Sequence, residues 1–189
     1  MSDFIDLDLL QSIQENCSKA MGLAFIAVDY KGIPITKYSG FTSHCMLGRQ
    51  AKGFAEMCEQ CDAHGGLYAA ITGQPYIYRC HAGLVDFAVP LIANGSYMGA
   101  VLGGQVRLQE ESERELEHIL PQRPNWKRDR EWEEAYQKLE VVTYEKVEAS
   151  VKLLRDIIVT FVEGRTGKGA DGVLREKEKQ LSEERAARL

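Results

Sequence analysis

The spacing of apolar residues along the first part of the chain predicts a helix followed by a β-hairpin. From Leu7 to Met21 apolar residues recur at intervals of three and four positions, which is the pattern of an amphipathic helix. A β-rich run from 23 to 28 follows, then a turn, and then a second run through Ile33 and Ile35. Two such runs around a short turn predict paired antiparallel strands, with Pro34 favouring an edge position.

A second helix and a second hairpin are predicted next. Helical spacing extends over residues 52–73, and we expect the pair Gly65-Gly66 to interrupt that helix. A short aromatic run, PYIYRC, and an alternating run at 85–93 come after it. Asn94-Gly95 is a strong hairpin signal, and the return strand follows in YMGAVLGGQV. With the first hairpin, these segments predict about five antiparallel strands.

The C-terminal part is predicted to be helical and to end in a tail. Residues 107–140 are dense in mixed charge and predict two solvated helices around a proline-containing loop. Apolar residues at helical spacing predict a long helix from about Val141 to Glu163. The glycine-rich stretch that follows predicts a flexible linker, and the last segment has the pattern of a starting coiled coil. The chain stops inside that helical pattern, so we expect it to be a piece of a longer protein.

This order of elements predicts the fold class and the domain boundaries. Helices lie before, between and after the strands rather than alternating with them, which indicates an α+β fold and not a βαβ fold. We expect a central antiparallel sheet of about five strands, flanked by helices, with a C-terminal signalling helix. A chain of 189 residues suits one main domain. The predicted organisation is a domain at 1–163, a linker at 164–172 and the beginning of a helix at 173–189.

Composition excludes several classes of function. The formal net charge is −5, and nucleic-acid affinity rests largely on Lys and Arg, so direct binding of nucleic acid is not expected. No apolar run approaches the roughly 20 residues of a membrane span. The N-terminus carries acidic residues where a secretory signal has basic ones. We therefore expect a cytoplasmic protein that binds neither membranes nor nucleic acid.

Four of the five cysteines are candidates for chemistry. Cys58 and Cys61 form a C-x2-C pair, with Cys45 before it and Cys80 after it. Disulfides are not expected in a reducing cytosol, whereas four thiolates can bind zinc or hold an iron–sulfur cluster. The spacing fits neither the two close pairs of familiar zinc modules nor the common ferredoxin patterns. A thiol redox role, direct ligand contact and simple burial therefore stay open. For Cys17, on an apolar helix face, we expect burial.

The remaining candidates are groups that could line a ligand pocket. The sequence contains no G-x-S-x-G, H-E-x-x-H or phosphate-loop signature, so no motif predicts an enzyme. Cys80 beside His81 is the candidate nucleophile and base pair, but neighbours on a strand point to opposite faces. His81 follows a strand end, and Asp86 and Gln105 are polar groups on predicted strands. Together with Phe87 they are the candidate ligand-binding residues.

Several segments together resemble one known family. DYKGIPIT, the C-x2-C pair and above all CHAGLVDFAVPL followed by GAVLGGQV are similar to the PocR ligand-binding domain. That family is a sensory module of bacterial and archaeal signalling proteins. The resemblance covers about residues 5–162 and implies a PAS-like variant of the α+β fold, with a pocket on one face of the sheet. It also implies the sensing of small hydrocarbon derivatives such as short diols or alcohols.

The same resemblance implies partners for the domain. Domains of this family lie upstream of a histidine kinase or a helix-turn-helix DNA-binding domain. The tail EKEKQLSEERAARL is similar to the helix that enters a sensor kinase. We expect a homodimer through the C-terminal helices and a signal that passes through the helix at 141–163.

A different hypothesis makes the cysteine cluster itself the detector. The chain would then be a redox or gas sensor that uses an iron–sulfur centre or a switchable set of thiols. Zinc is the first candidate cofactor, and an iron–sulfur cluster or no cofactor are the alternatives.

Overall fold

The computed structural model describes residues 5–109, 116–120 and 130–165 of the chain. These residues form five helices and five strands. In chain order they are α1 (Leu7–Met21), β1 (Ala24–Asp29), α2 (Ser43–Gly48), α3 (Phe54–Thr72), β2 (Tyr76–Arg79), β3 (Val85–Ala93), β4 (Ser96–Leu108), α4 (Arg130–Gln137), β5 (Val141–Val142) and α5 (Tyr144–Arg165). None of the helices in the described ranges is both long enough and apolar enough to cross a membrane.

Four of the strands form an antiparallel sheet in the order β1-β4-β3-β2. β3 and β4 join through the turn at Asn94-Gly95, where both residues have positive φ, 50° and 76°, as the sequence signal requires. The two-residue β5 adds to β4 in parallel, with Val141 beside Arg107. The predicted fold class is confirmed, because the domain is α+β with an open, mainly antiparallel sheet of five strands and a C-terminal helix.

Helices cover both faces of the sheet, because successive side chains of a strand point to opposite sides. Phe25 and Ala27 of β1 belong to a core that also contains apolar residues of α1 and α5. Ile26 and Val28 of the same strand belong to a second core, which contains residues of α2 and α3. The sheet is therefore a middle layer between two layers of helices.

The return strand predicted after β1 is wrong. The segment after the turn touches β1 at two isolated bridges, which join Val28 to Pro34 and Phe25 to Ser39. Pro34 has no N–H group to donate, so a continuous ladder of hydrogen bonds cannot pass through it. The side chain of Thr36 supplies one substitute, since its Oγ1 accepts a hydrogen bond of 2.9 Å from the N–H of Ala27.

The long C-terminal helix is confirmed, but it begins at Tyr144 instead of Val141. Val141 and Val142 pair with β4, and the chain turns at Thr143, whose Oγ1 accepts a hydrogen bond of 3.2 Å from the N–H of Lys146. Such a cap satisfies one of the N–H groups that a helix start leaves free. α5 extends to Arg165, two residues into the predicted linker. The rest of the linker at 164–172 and the helix at 173–189 lie outside the described residues.

α3 continues without a break through Gly65-Gly66, so the predicted interruption is wrong. A Cβ atom at Gly65 would lie 2.5 Å from Cε1 of Tyr78 on β2. One at Gly66 would lie 2.8 Å from the Cβ atom of Ala100 on β4. The two glycines let the helix approach the sheet closely, at a cost in helix propensity of about 1 kcal/mol each.

Within residues 107–140, where two solvated helices were predicted, the structure describes one helix, α4. Residues 110–115 and 121–129 of this segment lie outside the described ranges.

Candidate functional site

A small cavity lies between the sheet and the layer formed by α2 and α3. Its volume is about 40 Å³, on a measure by which one water molecule needs roughly 10–15 Å³. The cavity therefore suits a molecule of only a few non-hydrogen atoms. Seven of the eight predicted site residues line it: Cys45, Cys58, Cys61, Cys80, His81, Asp86 and Gln105.

A β-bulge brings Gln105 into the cavity wall. Asp86 of β3 pairs with Gly104 and the preceding Val85 pairs with Val106, so Gln105 is the extra residue of β4. Its φ is 61°, a left-handed conformation that costs a non-glycine residue about 1–2 kcal/mol. The N–H of Gln105 donates a hydrogen bond of 2.7 Å to Asp86 Oδ1, and this contact offsets part of that strain.

The side chain of Gln105 ties the bulge to the start of α2. Its Oε1 accepts hydrogen bonds from the N–H of Thr42 at 2.9 Å and from Thr42 Oγ1 at 3.0 Å. Thr42 is the N-cap of α2, and its Oγ1 also accepts a hydrogen bond of 3.3 Å from the N–H of Cys45. One amide oxygen therefore fixes the helix that carries Cys45 against the sheet.

His81 lies in a tight turn after β2 and faces α3. The turn is closed by hydrogen bonds from the N–H of Cys80 to the carbonyl of Leu84, at 2.9 Å, and from the N–H of Gly83 to the carbonyl of Cys80, at 2.8 Å. His81 Nε2 lies 3.3 Å from Cys58 Sγ. Burial, reinforced by the positive charge of Arg49, lowers the pKa of His81 to about 4, so the imidazole is neutral at physiological pH.

The four cysteines that line the cavity are held as neutral thiols. Burial raises the pKa values of Cys45 and Cys61 to about 12. It also raises those of Cys58 and Cys80 above the ordinary value. Thiolates are the reactive form of cysteine, so these side chains are poor nucleophiles in this environment. The structure pairs His81 with Cys58 through space, rather than with its sequence neighbour Cys80.

Two carboxyl groups and one guanidinium also line the cavity. Burial raises the pKa of Asp86 to about 6, although the hydrogen bond from the N–H of Gln105 acts in the opposite direction. Burial, together with the charge of Asp86, also raises the pKa of Asp62. Arg49 Nη2 lies 3.9 Å from Asp62 Oδ2. The cavity thus combines apolar walls and thiols with a few polar groups, as small-molecule sites do.

The candidate metal ligands converge on this cavity without forming an ion site. Among the described residues, no group of three or more His, Cys, Asp and Glu side chains is placed to hold one metal ion. Zinc or an iron–sulfur cluster at Cys45, Cys58, Cys61 and Cys80 therefore stays a prediction. Binding would require side-chain movements and deprotonation of the thiols.

Phe87 is the predicted ligand-binding residue that the structure places elsewhere. It belongs to the core on the side of α1 and α5, where its ring meets that of Phe25 edge to face at 5.8 Å. It is absent from the cavity lining, which Phe25 reaches instead. Contact between Phe87 and a ligand stays a prediction.

Among the polar residues that shape the site, sequence reasoning missed Thr42, Arg49 and Asp62. Asp62 directly follows Cys61, so its proximity to the cysteine cluster was a usable signal. Thr42 and Arg49 flank α2, a short helix that was not predicted from the sequence. Their positions depend on packing between distant parts of the chain, which hydrophobic periodicity does not record. Thr42, for example, contacts Gln105, which lies 63 residues later in the sequence.

Comparisons with known proteins identify a family that the chain resembles. The family model described as the sensory domain found in PocR matches residues 3–165. The chain is 38% identical over 154 residues to the regulatory protein PocR of Salmonella typhimurium strain LT2. That match covers 82% of this chain and 50% of the relative, so the chain spans about half the length of the relative. No solved structure matches.

Proposed function

Because the chain belongs to the family of PocR sensory domains, we propose that it is the ligand-binding input domain of a longer cytoplasmic signalling protein. The ligand is a small molecule such as a short diol, an alcohol or another simple hydrocarbon derivative. The observation that carries this proposal is the cavity of about 40 Å³, which contains seven of the eight residues selected from the sequence.

The character of the cavity supports a small and weakly polar ligand. Apolar residues supply most of its walls, which favours the transfer of a short hydrocarbon chain from water. His81 is neutral and the thiols are protonated, so neither offers a full charge to a ligand. A few directed polar groups in an apolar enclosure give orientation and specificity to a molecule of this size.

One route for the signal leads from the cavity through α2 to α4. Gln105 fixes the N-cap of α2 from inside the cavity wall. Further along α2, the ring of His44 contacts the rings of Trp132 and Tyr136 on α4, with centroid distances of 5.4 and 5.3 Å. A ligand that stabilises the Gln105 link therefore also stabilises the support of α4.

The route continues from α4 into the C-terminal helix. Arg107 of β4 donates hydrogen bonds of 3.4 Å to the carbonyls of Gln137 and Leu139, and its guanidinium lies over the ring of Tyr136. β5 follows Leu139 almost at once and leads directly into α5. In the proposed full-length protein, α5 passes the change to a kinase or DNA-binding output, with a homodimer formed through the C-terminal helices.

Hydrogen exchange tests this route. A ligand moves an equilibrium only by binding one conformation better than another, so the bound and free forms must differ in local stability. We expect short diols or alcohols to slow amide exchange in α2 and to change it in α4 and in residues 141–163. Identical exchange in residues 141–163 with and without a bound ligand would contradict the proposed signalling route.

A second candidate function is a redox or gas sensor, which the convergence of four thiols on one cavity supports. It requires a metal centre or reactive thiols at Cys45, Cys58, Cys61 and Cys80. Metal analysis and an absorption spectrum of fresh protein separate the cases, with Cys58→Ser/Cys61→Ser as control. One equivalent of zinc lost in the variant supports a structural metal. Iron with visible absorption supports the redox or gas sensor, and absence of metal leaves the thiols as cavity wall.

A further inference from the structure

Arg49 is held rigidly at the edge of the cavity. It follows the last residue of α2, and its side chain is only 13% exposed. The rings of Tyr38 and Phe41 stack on each other at 4.3 Å, and the guanidinium carbon lies 5.2 and 5.5 Å from their centres. Contact with two aromatic faces orients a guanidinium group without using its N–H donors. The donors of Arg49 are therefore available to another partner.

One of these donors has no partner within the described residues. Arg49 Nε is fully buried, and no hydrogen bond from it is found in this part of the chain. An unsatisfied buried donor is costly, and structures rarely leave one without a reason. Arg49 lines the cavity, so a small rotation of its side chain brings this donor to an acceptor oxygen of a bound molecule.

Asp62 provides the complementary group. Its side chain is 12% exposed and lines the same cavity, and no described residue donates a hydrogen bond to its carboxylate. The 3.9 Å between Asp62 Oδ2 and Arg49 Nη2 exceeds hydrogen-bond length. The two side chains thus face each other without a direct hydrogen bond, and burial raises the pKa of Asp62.

We propose that Arg49 and Asp62 bind one hydroxyl group of the ligand, so that Arg49 Nε–H donates to its oxygen and its O–H donates to Asp62. A hydroxyl is the simple group that accepts and donates at the same atom. The proposal rests on the proposed function and specifies how the cavity selects its ligand. A carboxylate in this position has no O–H to donate to Asp62, and an ammonium group has no lone pair to accept a hydrogen bond from Arg49. The pair therefore selects uncharged, hydroxyl-bearing molecules against acids and amines of the same length.

The test is a binding comparison on the intact chain. The probes are diols of two to four carbons, with the hydroxy acid and the amino alcohol of each length. We expect the wild type to bind a diol more tightly than its charged counterparts. Asp62→Asn should weaken diol binding about tenfold and strengthen hydroxy-acid binding, because an asparagine amide can donate a hydrogen bond to a carboxylate oxygen. Arg49→Gln should weaken the diol without admitting the acid. Glu56→Gln, an exposed change on the same helix as Asp62, should alter neither.

Two observations distinguish a binding role of Asp62 and Arg49 from a loss of folding. Gain of acid binding in Asp62→Asn cannot arise from misfolding. If that variant does not fold, Arg49→Lys replaces it, because lysine keeps the charge and lacks the Nε–H donor; about tenfold weaker diol binding is then expected. Equal affinity of the wild type for diols and hydroxy acids, or an unchanged preference in the folded variants, would overturn the hydroxyl-binding role and leave the cavity as the ligand site. If no probe binds the wild type, the proposed function for this ligand class fails as well.

Discussion

Gln105 on β4 and Thr42 before α2 are joined through a single amide oxygen, which accepts hydrogen bonds of 2.9 and 3.0 Å from the N–H and the hydroxyl of Thr42. Gln105 reaches this position through a left-handed backbone conformation inside a strand. A strained residue that is held by neighbouring contacts is common at binding sites and switches. The contact connects the cavity wall to the helix that carries Cys45.

Two substitutions of Gln105 separate its side chain from its backbone. Gln105→Gly relieves the positive φ and keeps the N–H bond to Asp86, but removes the acceptor for Thr42. Gln105→Ala removes the acceptor and keeps the strain. We expect alanine to lower the free energy of unfolding by about 1 kcal/mol more than glycine, and both to speed amide exchange in α2. Equal denaturant midpoints for the glycine and alanine variants would contradict the backbone strain at position 105. Unchanged amide exchange in α2 in both variants would contradict the role of the link between Gln105 and Thr42.

Gly65 tests the close approach of α3 to the sheet. Gly65→Ala places a methyl group 2.5 Å from Cε1 of Tyr78, so we expect a loss of about 1–3 kcal/mol in the free energy of unfolding. Gly164→Ala is the matched control, because Gly164 is an exposed helical glycine with nothing within 4 Å of a Cβ atom. There we expect no loss, or a gain of up to about 1 kcal/mol from helix propensity. Chemical denaturation measures both, and equal effects would refute the packing role.

Asp86 makes a predictable contribution to stability as a function of pH. Its pKa in the folded chain is about 6, against an ordinary value of 3.8, so between these values the folded form binds more protons than the unfolded form. Stability from this group therefore falls as pH rises from about 4 to 6. The Asp86→Asn variant lacks this pH-dependent loss of stability. The lowered pKa of His81 affects the wild type and the variant alike, so its effect cancels in the difference between them.

We expect the free energy of unfolding of Asp86→Asn, relative to wild type, to increase by roughly 1–2 kcal/mol from pH 4 to pH 7. Urea unfolding across this range measures the difference. A constant difference would mean that Asp86 ionises normally in the folded chain.

The neutral state of the cavity thiols predicts low reactivity. Burial raises the pKa values of Cys45 and Cys61 to about 12, so the thiolate fraction at pH 7.5 is far below that of an ordinary cysteine. In the folded, metal-free chain we expect iodoacetamide to label these two residues at least tenfold more slowly than in urea, as measured by peptide mass spectrometry. Rapid labelling of the folded chain would instead support the thiol-based redox sensor.

Local patterns in the sequence were sufficient for most of the fold. The second hairpin followed from alternation and Asn94-Gly95, and the long helix α5 followed from its apolar spacing. The errors occurred where a tertiary contact determined the outcome. Gly65-Gly66 weakens an isolated helix, but its missing side chains make room for Tyr78 and Ala100. Val141 and Val142 fit a helix or a strand equally well. They form a strand because they pair with Arg107 and Leu108 at the end of β4.

The candidate site was predictable only in part. The cysteine cluster indicated the region of the cavity, because unusual residues can be recognised in a sequence without any knowledge of the fold. Phe87 was assigned to the ligand although strand alternation directs it to the opposite core from Ala88. The bulge at Gln105 reverses the alternation of side chains between the two faces of β4. Position 105 has no glycine or proline that would indicate a bulge. The proximity of Arg49 and Asp62 results from the packing of two separate helices on one sheet, which the sequence pattern does not show.

The proposed function requires a small ligand to bind in the cavity between the sheet and α2 and α3. Titration of the isotope-labelled chain with short diols, followed by amide NMR shifts, shows where such a ligand binds. A second groove of about 190 Å³ lies between β3 and α5 and provides an internal comparison. We predict saturable shifts centred on Cys45, Asp62, His81 and Gln105, and none of comparable size at Val159 on α5. Shifts centred on that groove, or no saturable shifts with any diol, alcohol or related small molecule, would contradict the proposed function.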